Sequence, residues 1–285
     1  MAHARRPRWL VCLSGLLVCL AGAESAAAAG VALEYEVYWK FLRLLEFRSV
    51  SEVPLEGPAR IATESRTVGI VDTFFPWTGR AEAGGRVAHG ALKSSSYHSW
   101  SRFRGAIQQV DVSWKRGVPR VHVSGEEPEG GTRDAVPADL QRNTIDPLSA
   151  VAELARGLAR DGKCGGRFPV FDGLRRYDLV FADRGAVDLE SSGKDPWSGP
   201  ARLCEARFRM LGGGWRGDVK PEDNPNRILA WLRPVYTGSG PVPVRFRIEA
   251  EAGALDVHLR AASPEASQSP PAPLAHDKGT PPPPA

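Results

Sequence analysis

No apolar run in this chain of 285 residues is long enough to cross a bilayer in comfort. The longest, residues 9–22 (WLVCLSGLLVCLAG), falls short of the roughly twenty residues a membrane-spanning helix needs. Neither sign of charge dominates, with 37 Lys+Arg against 33 Asp+Glu and a formal net charge of +4. No cluster of Lys and Arg forms a phosphate-binding stripe, so nucleic-acid binding has no support. There is no Gly-x-Ser-x-Gly elbow, no His-Glu-x-x-His helix and no Walker glycine loop. Gly212-Gly213-Gly214 runs into Trp215 and a polar stretch rather than into a helix, which argues against a phosphate cradle. Cysteine is scarce, with 4 in all and no Cys-x-x-Cys. Glycine (30) and proline (24), by contrast, are plentiful, and that balance suits strands and turns better than a helical bundle.

The first residues read as an export signal. Residues 1–8 (MAHARRPR) are basic, 9–22 apolar and 24–29 (ESAAAA) small, which places cleavage near Ala29–Gly30. The alternative is an uncleaved anchor. Cys12 and Cys19 each follow Leu-Val rather than a small residue, which argues against a lipidated cysteine. Removal of residues 1–29 would leave 34 basic and 32 acidic residues, and only two cysteines, Cys164 and Cys204. In an oxidising compartment such a pair reads as one disulfide, against a competing metal-binding reading without a nearby histidine. In the chain-entropy model a loop of that size stabilises by about 4 kcal/mol.

What remains alternates like strands. In residues 31–39, Leu33, Tyr35, Val37 and Trp39 face one way, and Glu34, Glu36 and Tyr38 the other. Residues 41–53 are either a bulged strand or a short helical turn, and residues 61–68 alternate weakly. Residues 74–77 (FFPW) form an aromatic knot. From 91 to 123 the pattern is hairpins, with Lys115-Arg116-Gly117 as a turn and the loop 126–131 (EEPEGG) in solvent. One helix stands out over 146–160, with Asp146 as N-cap, Pro147 in the first turn and Gly162 past the end. Its apolar stripe is Leu148, Val151, Leu154, Ala155 and Leu158, to be buried against the concave side of a sheet. Asp172-Gly173 between two strand-like runs predicts a two-residue type I′ turn. Strands then follow over 174–182, 201–210, with Cys204 on the apolar face, 228–236, 242–250 and 255–259. Residues 263–285 are rich in proline and poor in large apolar side chains, so a solvated, polyproline-like tail is expected. The predicted fold is mainly β: an antiparallel open or half barrel, or curved sheet, of about ten to twelve strands in one domain over residues 30–262, with the 146–160 helix packed on it.

Several short stretches together resemble a known family. They are Asp146-Pro147-Leu148-Ser149-Ala150, Cys164, Val170-Phe171-Asp172-Gly173, Arg175-Arg176-Tyr177-Asp178-Leu179, Ala201-Arg202-Leu203-Cys204, and Pro243-Val244-Arg245-Phe246 ahead of Gly253. In that order and spacing they are similar to the domain of unknown function 3108 family of exported Gram-negative bacterial proteins, over roughly residues 31–260. The resemblance implies a periplasmic, β-rich protein with no established activity and no catalytic residues to carry over. By looser analogy of architecture, a curved sheet holding a helix resembles periplasmic lipid and lipoprotein carriers.

Candidate sites are therefore few. Asp172 and Asp178 flank Arg175 and Arg176, which reads either as a site for a charged group or as turn chemistry plus a strand-surface ion pair. The aromatics Tyr35, Trp39, Trp100, Trp114 and Trp231 read as core packing or as the lining of an apolar groove. The histidines show no metal-ligand spacing, and no metal or cofactor is expected. The leading expectation is a periplasmic, non-enzymatic binding protein that holds an acyl chain or lipoprotein segment. It would be no integral membrane protein once its signal is cleaved. The alternative is an envelope-integrity factor acting through protein contacts, and the third reading is a hydrolase with a dispersed site.

Overall fold

The computed structural model describes residues 30–125, 133–191, 196–214, 216, 227–250 and 253–265. Residues 1–29, read above as an export signal and holding Cys12 and Cys19, residues 126–131, Trp215 and the residues beyond 265 lie outside the described residues.

Thirteen strands form one antiparallel sheet: β1 (Gly30–Trp39), β2 (Leu42–Glu52), β3 (Gly57–Thr67), β4 (Trp77–Ala88), β5 (Ala91–Phe103), β6 (Ala106–Lys115), β7 (Val118–Gly125), β8 (Gly165–Phe171), β9 (Arg176–Leu189), β10 (Gly199–Gly212), β11 (Arg227–Arg233), β12 (Val242–Ala250) and β13 (Gly253–Glu265). Their spatial order is β7-β6-β5-β4-β3-β2-β1-β13-β12-β11-β10-β9-β8. Two meanders thus join side by side where β1 meets β13, and β7 and β8 are the open edges. Two helices complete the described elements, α1 (Gly69–Phe74) and α2 (Pro147–Asp161).

The antiparallel open architecture matches the sequence reading; the strand count is higher, at thirteen. Residues 42–52 are a strand, with the irregularity falling in its pairing with β1 between Val37 and Tyr38. The middle of β4 carries Gly79, Ala81 and Ala83 at alternate positions, between Trp77 and the buried Val87, so it lacks the run of large apolar side chains by which a strand is recognised. Arg116 and Gly117 both have positive φ, the signature of a two-residue type I′ turn, and join β6 to β7 at the predicted place.

The Asp172-Gly173 connection differs from its prediction. Phe171 pairs with Arg176, so the loop has four residues. The Asp172 carboxylate accepts hydrogen bonds from the backbone N–H groups of Leu174 (2.9 Å) and Arg175 (2.6 Å), and this side-chain bonding opens the tight turn. Helix α2 is capped as the sequence implies: Asp146 accepts from Ser149 N at 2.8 Å, and Gly162 closes the end in a left-handed conformation. Its buried stripe is corrected in one place. Val151 is 37% exposed, and Ala150 takes the buried position, packed with Ile145, Val170 and Tyr177.

The two edge strands, β7 and β8, do not pair with one another. Residues 143–145 bridge the gap: Asn143 N donates to Gly117 O (2.8 Å), Ile145 N to Pro169 O (2.9 Å), and Phe171 N to Ile145 O (3.0 Å). Phe171, 1% exposed, packs with Val110, Val112 and Trp114 of β6. The sheet is therefore curled, with a seam of packed side chains where a closed barrel would have a ladder.

Candidate functional site

Residues directly opposite in an antiparallel ladder share a face, which allows the inside of the curl to be traced strand by strand. One inward row is Thr67, Leu45, Val37, Val257, Phe246, Ala230 and Cys204. A second is Tyr35, Phe47, Ser65, Gly79, Ser101 and Gln108, and a third Leu33, Ser49, Thr63, Ala81, Ser99 and Val110. Tyr35 stacks on Phe47 at 4.5 Å between centroids and tilts against Phe246 at 6.3 Å. Its hydroxyl donates to Pro243 O at 2.7 Å, and burial pushes its pKa up. Beside this aromatic floor, Ser49, Thr63, Ser65, Ala81, Ser99 and Ser101 face inward and stay half-buried. Small hydroxyl and methyl groups thus line this part of the concave surface, and the Trp77 ring lies over Gly79 beside Ser65.

Helix α2 occupies the other part of the concavity. Its Leu148 and Ala152 pack on the group containing Ile61, Ala83 and Tyr97, while Leu154 and Leu158 pack on Cys164, Cys204, Ala230 and Leu232. It thus touches both meanders. Asp146 also accepts a hydrogen bond from Ser94 Oγ, Arg156 donates to Pro54 O (2.7 Å) and Arg160 to Gly90 O (3.0 Å). These contacts place α2 at the end of the curl that carries the β2–β3 and β4–β5 turns. Desolvation by burial raises the Asp146 pKa above the ordinary value of 3.8, against the hydrogen bonds from Ser149 and Ser94. A disulfide joins Cys164, just past the helix, to Cys204 in β10, with the Cα atoms 5.7 Å apart and both residues buried.

The five aromatics singled out in the sequence do not gather. Tyr35 lies on the inner floor. Trp114 also points inward but is committed to the seam, 8% exposed, with Nε1 donating to Thr144 Oγ1 at 3.1 Å. Trp100 stands on the outer face opposite Arg80 and Gln109, with the Arg102 guanidinium 5.3 Å from its ring. Trp231 is opposite Arg245, whose guanidinium lies 5.7 Å from the ring, and that row continues through His258 to Glu36 on the outer face. Trp39, 40% exposed, sits at the end of β1. The floor partners of Tyr35 are instead Phe47 and Phe246. Phe47 was within reach of the sequence, since Phe47, Ser49 and Ser51 alternate, but Leu44-Leu45 breaks the pattern just before them.

The polar quartet divides into two ion pairs. Asp172 and Arg175 pair within the β8–β9 loop at 2.8 Å. Asp178, 1% exposed, lies 2.6 Å from Arg167 and 2.9 Å from Arg176, and Arg176 donates to Leu140 O. Burial pushes the Asp178 carboxyl up, but the Arg167 and Arg176 guanidinium groups outweigh it and hold it below the usual carboxylate range. Asp178 is thus buried in β9 rather than at a strand surface.

The outer face carries ladders of charge, among them Glu34, Arg48, Glu64 and Arg80 in one row. A depression of about 660 Å³ runs between such rows beside Trp100, and another of about 460 Å³ holds His98, Asp111 and His122, with His98 Nδ1 hydrogen-bonded to Asp111 Oδ1. Among the described residues no group of three or more His, Cys, Asp or Glu side chains is arranged to hold a metal ion. No described helix is long and apolar enough to cross a membrane.

A family model described as Protein of unknown function (DUF3108) matches residues 34–260. Among solved structures, the chain is similar to the crystal structure of a β-barrel-like protein of domain of unknown function DUF1849 from Brucella abortus. The TM-score is 0.47 and the identity 12%, over 83% of this chain and 98% of that one. No curated protein matches the sequence.

Proposed function

We propose that this chain, which belongs to the DUF3108 family of proteins of unknown function, is a non-enzymatic periplasmic binding protein that holds an acyl chain or lipidated segment inside its curled sheet. The observation that carries this reading is the inward surface left beside α2. Half-buried Ser49, Thr63, Ser65, Ala81, Ser99 and Ser101 border the Tyr35–Phe47–Phe246 floor. An alkyl chain would lie on the aromatic floor, and its ester or amide head would meet the hydroxyl groups. The leader-like residues 1–29 and the Cys164–Cys204 disulfide support export to an oxidising compartment.

The test begins with mass spectrometry of gently purified protein, natively and after solvent extraction. A fluorescent polyene fatty acid is then titrated into the delipidated protein. Saturable binding is expected, with Ser99→Trp filling the trough and abolishing it while thermal stability falls only slightly. A clean apo mass together with no saturable fluorescence change would sink the reading.

A second reading, an envelope factor acting through protein contacts, is favoured by edge strand β7. It pairs with β6 alone, and its Val118, Val121 and Val123 are 39%, 38% and 42% exposed. An extended partner segment could add to that edge. A partner that co-purifies and is lost on Val121→Lys would move the weight there.

A further inference from the structure

Among the described residues the strongly exposed aromatic side chains, Trp39, Phe41, Phe74 and Phe75, gather with Ile70 at one end of the curl, whereas the exposed Leu55 stands alone in the β2–β3 turn at the end that α2 covers. Phe41, in the β1–β2 turn, is 86% exposed. Ile70 and Phe74 of α1, and Phe75 just after it, are 58%, 60% and 52% exposed, and Trp39 is 40% exposed. These segments are far apart in sequence but converge because strands β1 to β4 are paired in register: Val68 N donates to Leu44 O at 3.1 Å, and Leu45 pairs with Thr67. The β5–β6 turn reaches the same end, where the Arg104 guanidinium lies 4.9 Å from the Phe75 ring and 5.4 Å from that of Phe103, and donates to Phe74 O at 3.1 Å. Lys40 Nζ lies 4.9 Å from the Trp39 ring.

We infer that this rim docks on a lipid surface carrying anionic headgroups. The aromatic residues project from turn tips and a six-residue helix rather than lining a groove, which is the geometry of wedges entering an acyl layer, not of a pocket receiving a partner side chain. Lys40, Arg102 and Arg104 surround them, against the acidic Asp72, whose carboxylate accepts from Thr67 Oγ1, and Glu46, which is paired with Arg66. Cations stacked on aromatic rings at the boundary between apolar and charged groups match the chemistry of a membrane interface. The flanking outer face, with its ladders of ion pairs, stays in water, so the protein would rest end-on. The inference uses residues outside the proposed trough and holds whether or not the trough takes a ligand.

The experiment is co-sedimentation with vesicles of pure phosphatidylcholine and with vesicles containing about a third phosphatidylglycerol, at low and high salt. Wild type and variants are compared in the same purified form, so that any contribution of residues 1–29 cancels. Binding to the anionic vesicles is expected. The double substitution Phe41→Ser with Phe74→Ser should lower the partition coefficient about tenfold or more. Arg104→Glu should lower it on anionic vesicles only, and Arg120→Glu, at the opposite end, should leave it unchanged. These positions are exposed, and circular dichroism with a thermal melt confirms that each variant is folded. Equal sedimentation of wild type and the double Phe variant overturns the inference. So does a concentration-dependent dimer that the same substitutions abolish in the absence of vesicle binding, which would assign the rim to self-association.

Discussion

Asp146 shows how much one side chain can be asked to do. It caps α2, receives Ser94 from β5 and is fully buried, so its carboxyl titrates above its ordinary value of 3.8. An acid whose folded-state pKa is raised contributes stability that is complete below its unfolded pKa. That contribution is lost as pH rises through the folded value. Asp146→Asn keeps an acceptor for the cap but cannot ionise. The stability of wild type minus that of the variant should therefore fall as pH rises from about 3.8 upward, measured by urea unfolding across a pH series. Asp178, Asp183 and Glu205 have lowered values and act in the opposite sense, losing stability as pH falls, but they are common to both proteins and cancel in the difference. A flat difference would show that Asp146 does not ionise differently in the two states.

The helix is the element on which the interior depends. Its apolar face spans both meanders, and the disulfide ties the residue after its C-cap to β10. Replacing Cys204 with Ser removes a bridge between residues 40 apart, and the chain-entropy model puts the loss at about 4 kcal/mol. A lowered midpoint in non-reducing urea melts, absent when wild type is compared under full reduction, is the expected outcome. In Cys204→Ser, hydrogen exchange should show α2 opening before the central strands, because the bridge no longer holds its C-terminal end. Alternation and capping made α2 legible in the sequence to within a residue at each end. The strand β4 was not legible, since its glycines and alanines are dictated by what they face and not by a pattern of their own.

At the scale of the whole molecule, what matters is how a thirteen-stranded sheet with two free edges remains curled. The seam depends on close approach at Gly173. Its φ is +93°, and a Cβ there would stand 2.3 Å from Val110 Cγ1 and 2.9 Å from Val112 Cγ2. Gly173→Ala should cost about 2 kcal/mol or more, from backbone strain and from the displaced valines. Faster hydrogen exchange at β6 and β7 than in β12 and β13 would locate the damage at the seam. A uniform loss across the sheet would show that the edges act as one cooperative unit instead.

The sequence by itself determined the local matters: strands by alternation, α2 by its caps and stripe, the cysteine pairing by scarcity, and family membership by the order of short motifs. These follow from forces that act over a few residues, or from the absence of competing partners. Only the tertiary structure decided which aromatics meet. Tyr35 and Phe47 stack because β1 and β2 pair in one register, whereas Trp100 and Trp231 fall on the outer face and Trp114 is drawn into the seam. A shift of one residue in any ladder would exchange the faces, and nothing within a single strand fixes that choice. The same holds for the quartet Asp172, Arg175, Arg176 and Asp178, which adjoin in sequence yet point into two separate ion pairs. Side-chain chemistry is written in the chain, but the company each side chain keeps is set by pairing between strands as many as two hundred residues apart, as Tyr35 and Pro243 show across a separation of 208.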